Sequence, residues 1–113
     1  MIHSRTARRG LFMLAALVAG LVSGVAGAED MRIQIKGHAF VPTKITIPAS
    51  TRVKLLVSNE NALPAEFEGQ DFPSEKVIPG HTELPVYIGP LDAGTYHFFN
   101  EFDPGVTGEL IVE

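Results

Sequence analysis

Thr95-Tyr96-His97-Phe98-Phe99-Asn100-Glu101 is a β-branched and aromatic run bounded by Gly94 before it and Pro104-Gly105 after it. Successive side chains on a strand point to opposite faces. Tyr96, Phe98 and Asn100 therefore form an inward set, and His97, Phe99 and Glu101 an outward one. Working outward, the same alternation appears in Arg32-Ile33-Gln34-Ile35-Lys36 and in Lys44-Ile45-Thr46-Ile47. Further strand-like runs are Thr51 to Val57, Glu83 to Ile88 and Glu109 to Val112. Gly37, Pro42, Pro48, Pro64, Gly69, Pro73, Pro79-Gly80, Gly89-Pro90 and Gly94 punctuate them. Breaks roughly every 8–12 residues are the rhythm of an antiparallel sandwich. No segment sustains a 3.6-residue apolar period; Asp71 to Glu75 has room for one helical turn at most. The expected fold is a single all-β domain.

In Pro64-Ala65-Glu66-Phe67-Glu68, parity sends Ala65 and Phe67 to the core and Glu66 and Glu68 outward together. Asn100, at the inward end of an apolar run, then needs a hydrogen bond to be buried without cost.

The first part of the chain has a different character. Residues 1–28 carry Arg5, Arg8 and Arg9 with no acid, then the apolar run Leu11 to Val22, then small residues ending Ala26-Gly27-Ala28. This is the pattern of a cleaved signal peptide, with an Ala-x-Ala site before Glu29. The apolar run is short of the roughly 20 residues a membrane span needs, so no stable membrane insertion is expected after cleavage. Arg8-Arg9 also admits twin-arginine export. Residues 29–113 are then the working domain, in a periplasmic setting.

All thirteen acids follow residue 28, and three of the nine bases precede it. Residues 29–113 thus hold six bases against thirteen acids, a net charge of −7. A small domain this acidic does not suit nucleic acid, whose phosphates call for clustered Lys and Arg. It suits cations or a basic partner. With no cysteine in the chain, disulfide, thiolate, iron–sulfur and copper–thiolate chemistry are excluded. Ser58 and Ser74 have no histidine nearby in sequence, so no hydrolytic motif is present.

Val57 to Phe67 with its Asn-x-x-x-x-Pro element, Ala93-Gly94-Thr95-Tyr96-His97-Phe98, and Gly108-Glu109-Leu110-Ile111-Val112 together resemble the cupredoxins, Greek-key β-sandwiches that hold copper between two loops. The resemblance places the family's four copper ligands at Ala65, Asn100, Asp103 and near Val106, none of which is the family's residue. It therefore implies that no type 1 blue copper is bound. Ala65-Glu66-Phe67-Glu68, Ser74 to Gly80, Ile88 to Leu91 and Phe99-Asn100-Glu101-Phe102 are similar to cysteine-free cupredoxin-like proteins of bacterial periplasmic iron uptake. That similarity implies a copper or iron ion and copper-dependent oxidation of Fe2+. As partners it implies a high-affinity iron permease, a periplasmic iron-binding protein and a ferredoxin-like membrane protein. Such relatives often read Glu-Phe-His-Pro where this chain has Glu101-Phe102-Asp103-Pro104.

The resemblance also implies that the strand of Glu66 and Glu68 lies beside that of His97 and Glu101. The expected metal site is then Glu66, Glu68, His97 and Glu101, with Asp103 as a hard-cation ligand and Glu75 joining if the Gln70 to Ser74 loop folds over. Mixed imidazole and carboxylate donors suit iron, copper(II) or zinc. The competing reading is a solvated polar face on a domain that docks to a periplasmic or membrane partner, with Phe99 and Phe102 as contacts. His38 reads as a turn residue, with a loop ligand near the metal end as the alternative, His81 reads as a turn residue, and Asp103-Pro104-Gly105 as a turn. The processing reading has a direct check. Mass spectrometry of the exported protein should give Glu29 as the first residue, whereas an intact chain retained in membranes would contradict it.

Overall fold

A computed structural model describes residues 31–113; the expected signal peptide lies outside them. Among the described residues are nine strands: β1 Met31–Lys36, β2 Ala39–Val41, β3 Lys44–Ile47, β4 Val53–Asn59, β5 Ala65–Gly69, β6 Glu75–Ile78, β7 Thr82–Ile88, β8 Gly94–Asn100 and β9 Asp103–Val112. They form two sheets, in the orders β2-β1-β4-β7 and β3-β9-β8-β5-β6. β1 runs parallel to β4, and β3 parallel to β9, while the other pairs are antiparallel. The result is a two-sheet β-sandwich, as the alternation and punctuation predict. No helix among the described residues is long and apolar enough to cross a membrane.

The inward set of each strand fills the space between the sheets. Ile33 and Ile35 of β1, Leu55 and Val57 of β4, Phe67 of β5, Phe98 of β8, and Leu110 and Val112 of β9 are all buried. Phe67 stacks on Phe98 with ring centroids 5.1 Å apart, and Phe40 meets Phe98 edge-on at 4.9 Å. Such aromatic pairs add about 0.5–1.5 kcal/mol each beyond the area they bury. The parity read for β5 and β8 holds throughout, Asn100 included.

Two buried amides close the sandwich where strands end. Asn59 donates from Nδ2 to the carbonyls of Leu63 (2.9 Å) and Ile78 (3.0 Å), and its Oδ1 accepts from the Asn61 N–H. Asn100 Oδ1 accepts from the Glu66 N–H (2.9 Å) and the Phe102 N–H (3.1 Å). The Asn59 amide is thereby satisfied at both ends and the Asn100 carbonyl oxygen twice over, which offsets much of the cost of burying them.

One local expectation changes, and two details are added. Asp71 to Glu75 makes no helical turn. Phe72 instead tucks into the core against Tyr96, Gly69 N–H bonds to the Ser74 carbonyl, and β6 starts at Glu75. The turn after β8 is Glu101-Phe102, and Asp103 already pairs with Asn100, so Asp103-Pro104-Gly105 opens β9. The short strands β2 and β6 escape a search for long alternating runs because tertiary pairing, not local pattern, defines them.

Gly108 occupies an inward position on β9 directly under the Phe98 ring, where a Cβ would lie 2.2 Å from Cζ. That ring is held by Phe67 and Phe40 and cannot step aside. Gly108→Ala should therefore lower unfolding free energy by about 1–3 kcal/mol, measured by urea denaturation. An unchanged midpoint would show that the aromatic cluster yields.

Candidate metal site

β5 and β8 are neighbours in one sheet, with Phe67 opposite Asn100 and Glu68 opposite Phe99. On the other side of β5, Glu66 faces Val77 and Glu68 faces Glu75 of β6. Buried Phe67 therefore sends Glu66 and Glu68 to the outer face, beside Glu75. Glu101 sits in the turn after β8, and its N–H donates to the Glu66 carbonyl (2.9 Å). That bond, with the Asn100 clamp on Glu66, brings Glu101 alongside the pair. One carboxylate oxygen from each of Glu66, Glu68 and Glu101 lies within 4.8 Å of the others.

Crowding shapes their acidity. Glu68 is pushed up to about 7, first by the hydrogen-bonding approach of the Glu101 carboxyl, then by burial, then by the charges of Glu101, Glu75 and Glu66. Glu66 is raised as well, by burial and by the charges of Glu75 and Glu101. Glu68 Oε2 is shut off from solvent, and no donor hydrogen-bonds to it. Three acceptors packed together with an undonated oxygen is an arrangement that a proton or a cation relieves.

The other expected ligands lie elsewhere. His97 is outward-facing, but Phe99 holds the outward position between it and Glu101. Its backbone N–H donates to Asp71 Oδ1 (2.7 Å), and its Nδ1 lies 3.2 Å from Asp71 Oδ2. The His97 backbone hydrogen bond, followed by its side-chain contact, holds the Asp71 carboxyl below its usual range against the opposing effect of burial. The expectation that His97 joins the glutamates is thus corrected: Asp71 in the Gln70–Ser74 loop holds the imidazole. Asp103 is likewise drawn away, its Oδ2 2.7 Å from Nδ1 of His38. Glu75 stays opposite Glu68 and contributes charge without entering the closest group. Asp71 was missed because nothing in its local sequence marks it as the partner of a histidine 26 positions on.

The positions that the cupredoxin resemblance assigns to copper ligands gather at the loop end. Ala65, Asn100 and Asp103 line one cleft of about 510 Å3, with His38, Leu63 and Phe102 around it. These residues do not fit a blue-copper centre. Ala65 offers no donor, Asn100 Oδ1 is engaged by two backbone N–H groups, Asp103 is paired with His38, and Val106 is buried in the core. No thiolate exists to form the short copper–sulfur bond.

The raised Glu68 predicts a pH dependence of stability in metal-free protein. Between the ordinary value of 4.5 and about 7, the folded chain keeps a proton that the unfolded chain has released. Stability should therefore fall as pH rises through that window and level off above it. Asp71 acts in the opposite sense, losing stability as pH falls, at pH below its ordinary 3.8. Urea midpoints in chelator at stepped pH should show the decline, and Glu68→Gln should flatten it. A wild-type slope surviving in the variant would place the proton elsewhere.

Comparison with known proteins agrees with this architecture. Residues 10–112 match the family described as cupredoxin-like domain. An uncharacterized protein of Rickettsia prowazekii (strain Madrid E) is 34% identical over 83 residues, covering 74% of this chain and 66% of the relative, so this chain spans just under two thirds of that protein. Among solved structures, auracyanin A, a "blue" copper protein of Chloroflexus aurantiacus, superimposes with a TM-score of 0.66 at 18% identity over 75% of this chain and 98% of its own. Amicyanin from Paracoccus versutus gives 0.61 at 18% identity over 76% and 83%. At that identity the structural likeness speaks for the fold alone. Taken with the two-sheet sandwich and the near-complete family match, the chain belongs to the cupredoxin-like domain family.

Proposed function

We propose that this protein is an exported metal-binding cupredoxin that handles iron for uptake, with Glu66, Glu68 and Glu101 holding the ion as cargo. The observation that carries the reading is the convergence of three carboxylates within 4.8 Å, one of them with a buried, undonated oxygen. An oxygen-only donor set is hard and suits iron better than soft copper(I). Glu75, opposite Glu68, adds negative charge that offsets a cation's own. Hard anionic donors favour Fe3+ over Fe2+, which accords with a role in aiding oxidation of Fe2+ in which copper(II) takes the electron and becomes copper(I). The uptake setting, with a high-affinity iron permease and a periplasmic iron-binding partner, rests on the sequence likeness of the Glu66-Phe67-Glu68 and Asn100-Glu101-Phe102 segments to iron-uptake proteins.

A second reading rests on a different observation. Leu63 and Phe102 are 78% and 54% exposed at the rim of the loop-end cleft, and exposed apolar groups gathered at one end favour a module that docks on another protein.

Calorimetric titration separates the two. Wild-type protein should bind Fe2+, kept anaerobic, and Cu2+, and Glu66→Gln with Glu68→Gln should weaken Fe2+ binding by one to two orders of magnitude while the fold is retained. Affinity should also fall as the pH drops toward 5 and protons compete for the carboxylates. Equal affinity in wild type and double variant would remove the glutamates from metal binding and leave the docking reading. Iron uptake by cells carrying the double variant in place of the wild type should fall in parallel.

A further inference from the structure

The imidazole that the glutamates do not use stands in a setting of its own. His97 of β8 lies directly opposite Glu109 of β9, and Glu109 lies opposite Lys44 of β3. All three line a shallow depression of about 390 Å3 on the outer sheet face, together with Thr43, Gln70 and Thr107. The half-exposed His97 ring has its Nδ1 engaged with Asp71 at 3.2 Å. A ring whose Nδ1–H is donated to a carboxylate presents the lone pair of Nε2, and metal-ligating histidines are typically oriented in this way. Directly opposed residues in an antiparallel pair have Cβ atoms about 4.5–5.5 Å apart. A metal about 2.0–2.1 Å from an imidazole nitrogen and 2.0–2.2 Å from a carboxylate oxygen bridges such a pair once the Glu109 carboxylate turns from Lys44 toward the ring.

We propose that His97 and Glu109 form a second cation site, separate from the Glu66–Glu68–Glu101 cluster, with Asp71 as the positioning residue. One imidazole and one carboxylate, with water completing the shell, suit a borderline divalent ion of the zinc or copper(II) class. Lys44 is the group that must yield. Its Nζ is 3.9 Å from Glu109 Oε1, with both side chains well exposed, and an ion pair this long and wet contributes little. Two protein donors on an open face give an exchangeable site, suited to passing an ion rather than storing it.

The test uses the full chain, Zn2+ alone as probe, and NMR of the imidazole nitrogens, which reads each histidine separately. His38 and His81 act as internal references. Before zinc, His97 should show the Nδ1–H tautomer. Zn2+ should shift its Nε2 saturably while Nδ1 keeps its proton. Glu109→Gln should weaken that binding at least tenfold. Asp71→Asn should weaken it about 10–100-fold and also scramble the tautomer, which a merely structural role would not do. Glu66→Gln with Glu68→Gln should leave the His97 response intact, so failure of the carboxylate cluster and failure of this site are told apart. No His97 shift at millimolar Zn2+, ligation through Nδ1, or a response lost in the Glu66/Glu68 variant but kept in Glu109→Gln would each overturn the proposal.

Discussion

The stacked pair Phe67 and Phe98 is the contact on which the rest depends. The two rings come from adjacent strands of one sheet, and Phe40 from the other sheet closes over them. Because neighbours on a strand alternate, burying these rings leaves Glu66, Glu68, His97 and Phe99 no choice but the outer face. A slip of one residue in β5 would drive Glu66 and Glu68 into the core, and one in β8 would drive His97 there, each at a large desolvation cost. Gly108 belongs to the same constraint, since only a residue without a side chain leaves room for the Phe98 ring.

Asn100 translates that packing into a site. Its buried amide oxygen holds the Glu66 and Phe102 N–H groups together, which draws the turn after β8 across to β5 and brings Glu101 beside Glu66. In the cupredoxin alignment this position belongs to the thiolate that would bind copper. Here it is a structural bracket, and the carboxylates converge on the sheet face. A thiolate centre places one soft anion inside, whereas the cation proposed for the carboxylates would be met by several hard oxygens near solvent.

Two histidines show how neighbours decide a residue's role. His97 and His38 each have Nδ1 against an aspartate, Asp71 and Asp103 respectively. The pairing removes His97 and Asp103 from the carboxylate cluster and gives each imidazole a defined orientation. On the face of β8 and β9, His97 stands opposite Glu109 in register; at the loop end His38 lines a cleft rimmed by Leu63 and Phe102. The sheet face and the loop end are thus chemically distinct, one charged and one largely apolar.

The all-β class, the inward and outward sets of β1, β5 and β8, the exclusion of thiolate copper and the outward pairing of Glu66 with Glu68 were all legible in the amino-acid order. Each follows from period-two alternation or from composition, and these are local or global properties needing no partner. Which outward residues meet was not legible in that way. Glu101 reaches Glu66 through the Glu101-Phe102 turn, two residues earlier than Asp103-Pro104-Gly105 suggested. His97 was lost to Asp71 because Phe72 pulls its loop into the core, and Glu109 became its neighbour through the register of β8 on β9. Those meetings depend on strand register and loop path, which arise from packing between segments distant in the chain, and only the tertiary structure decided them.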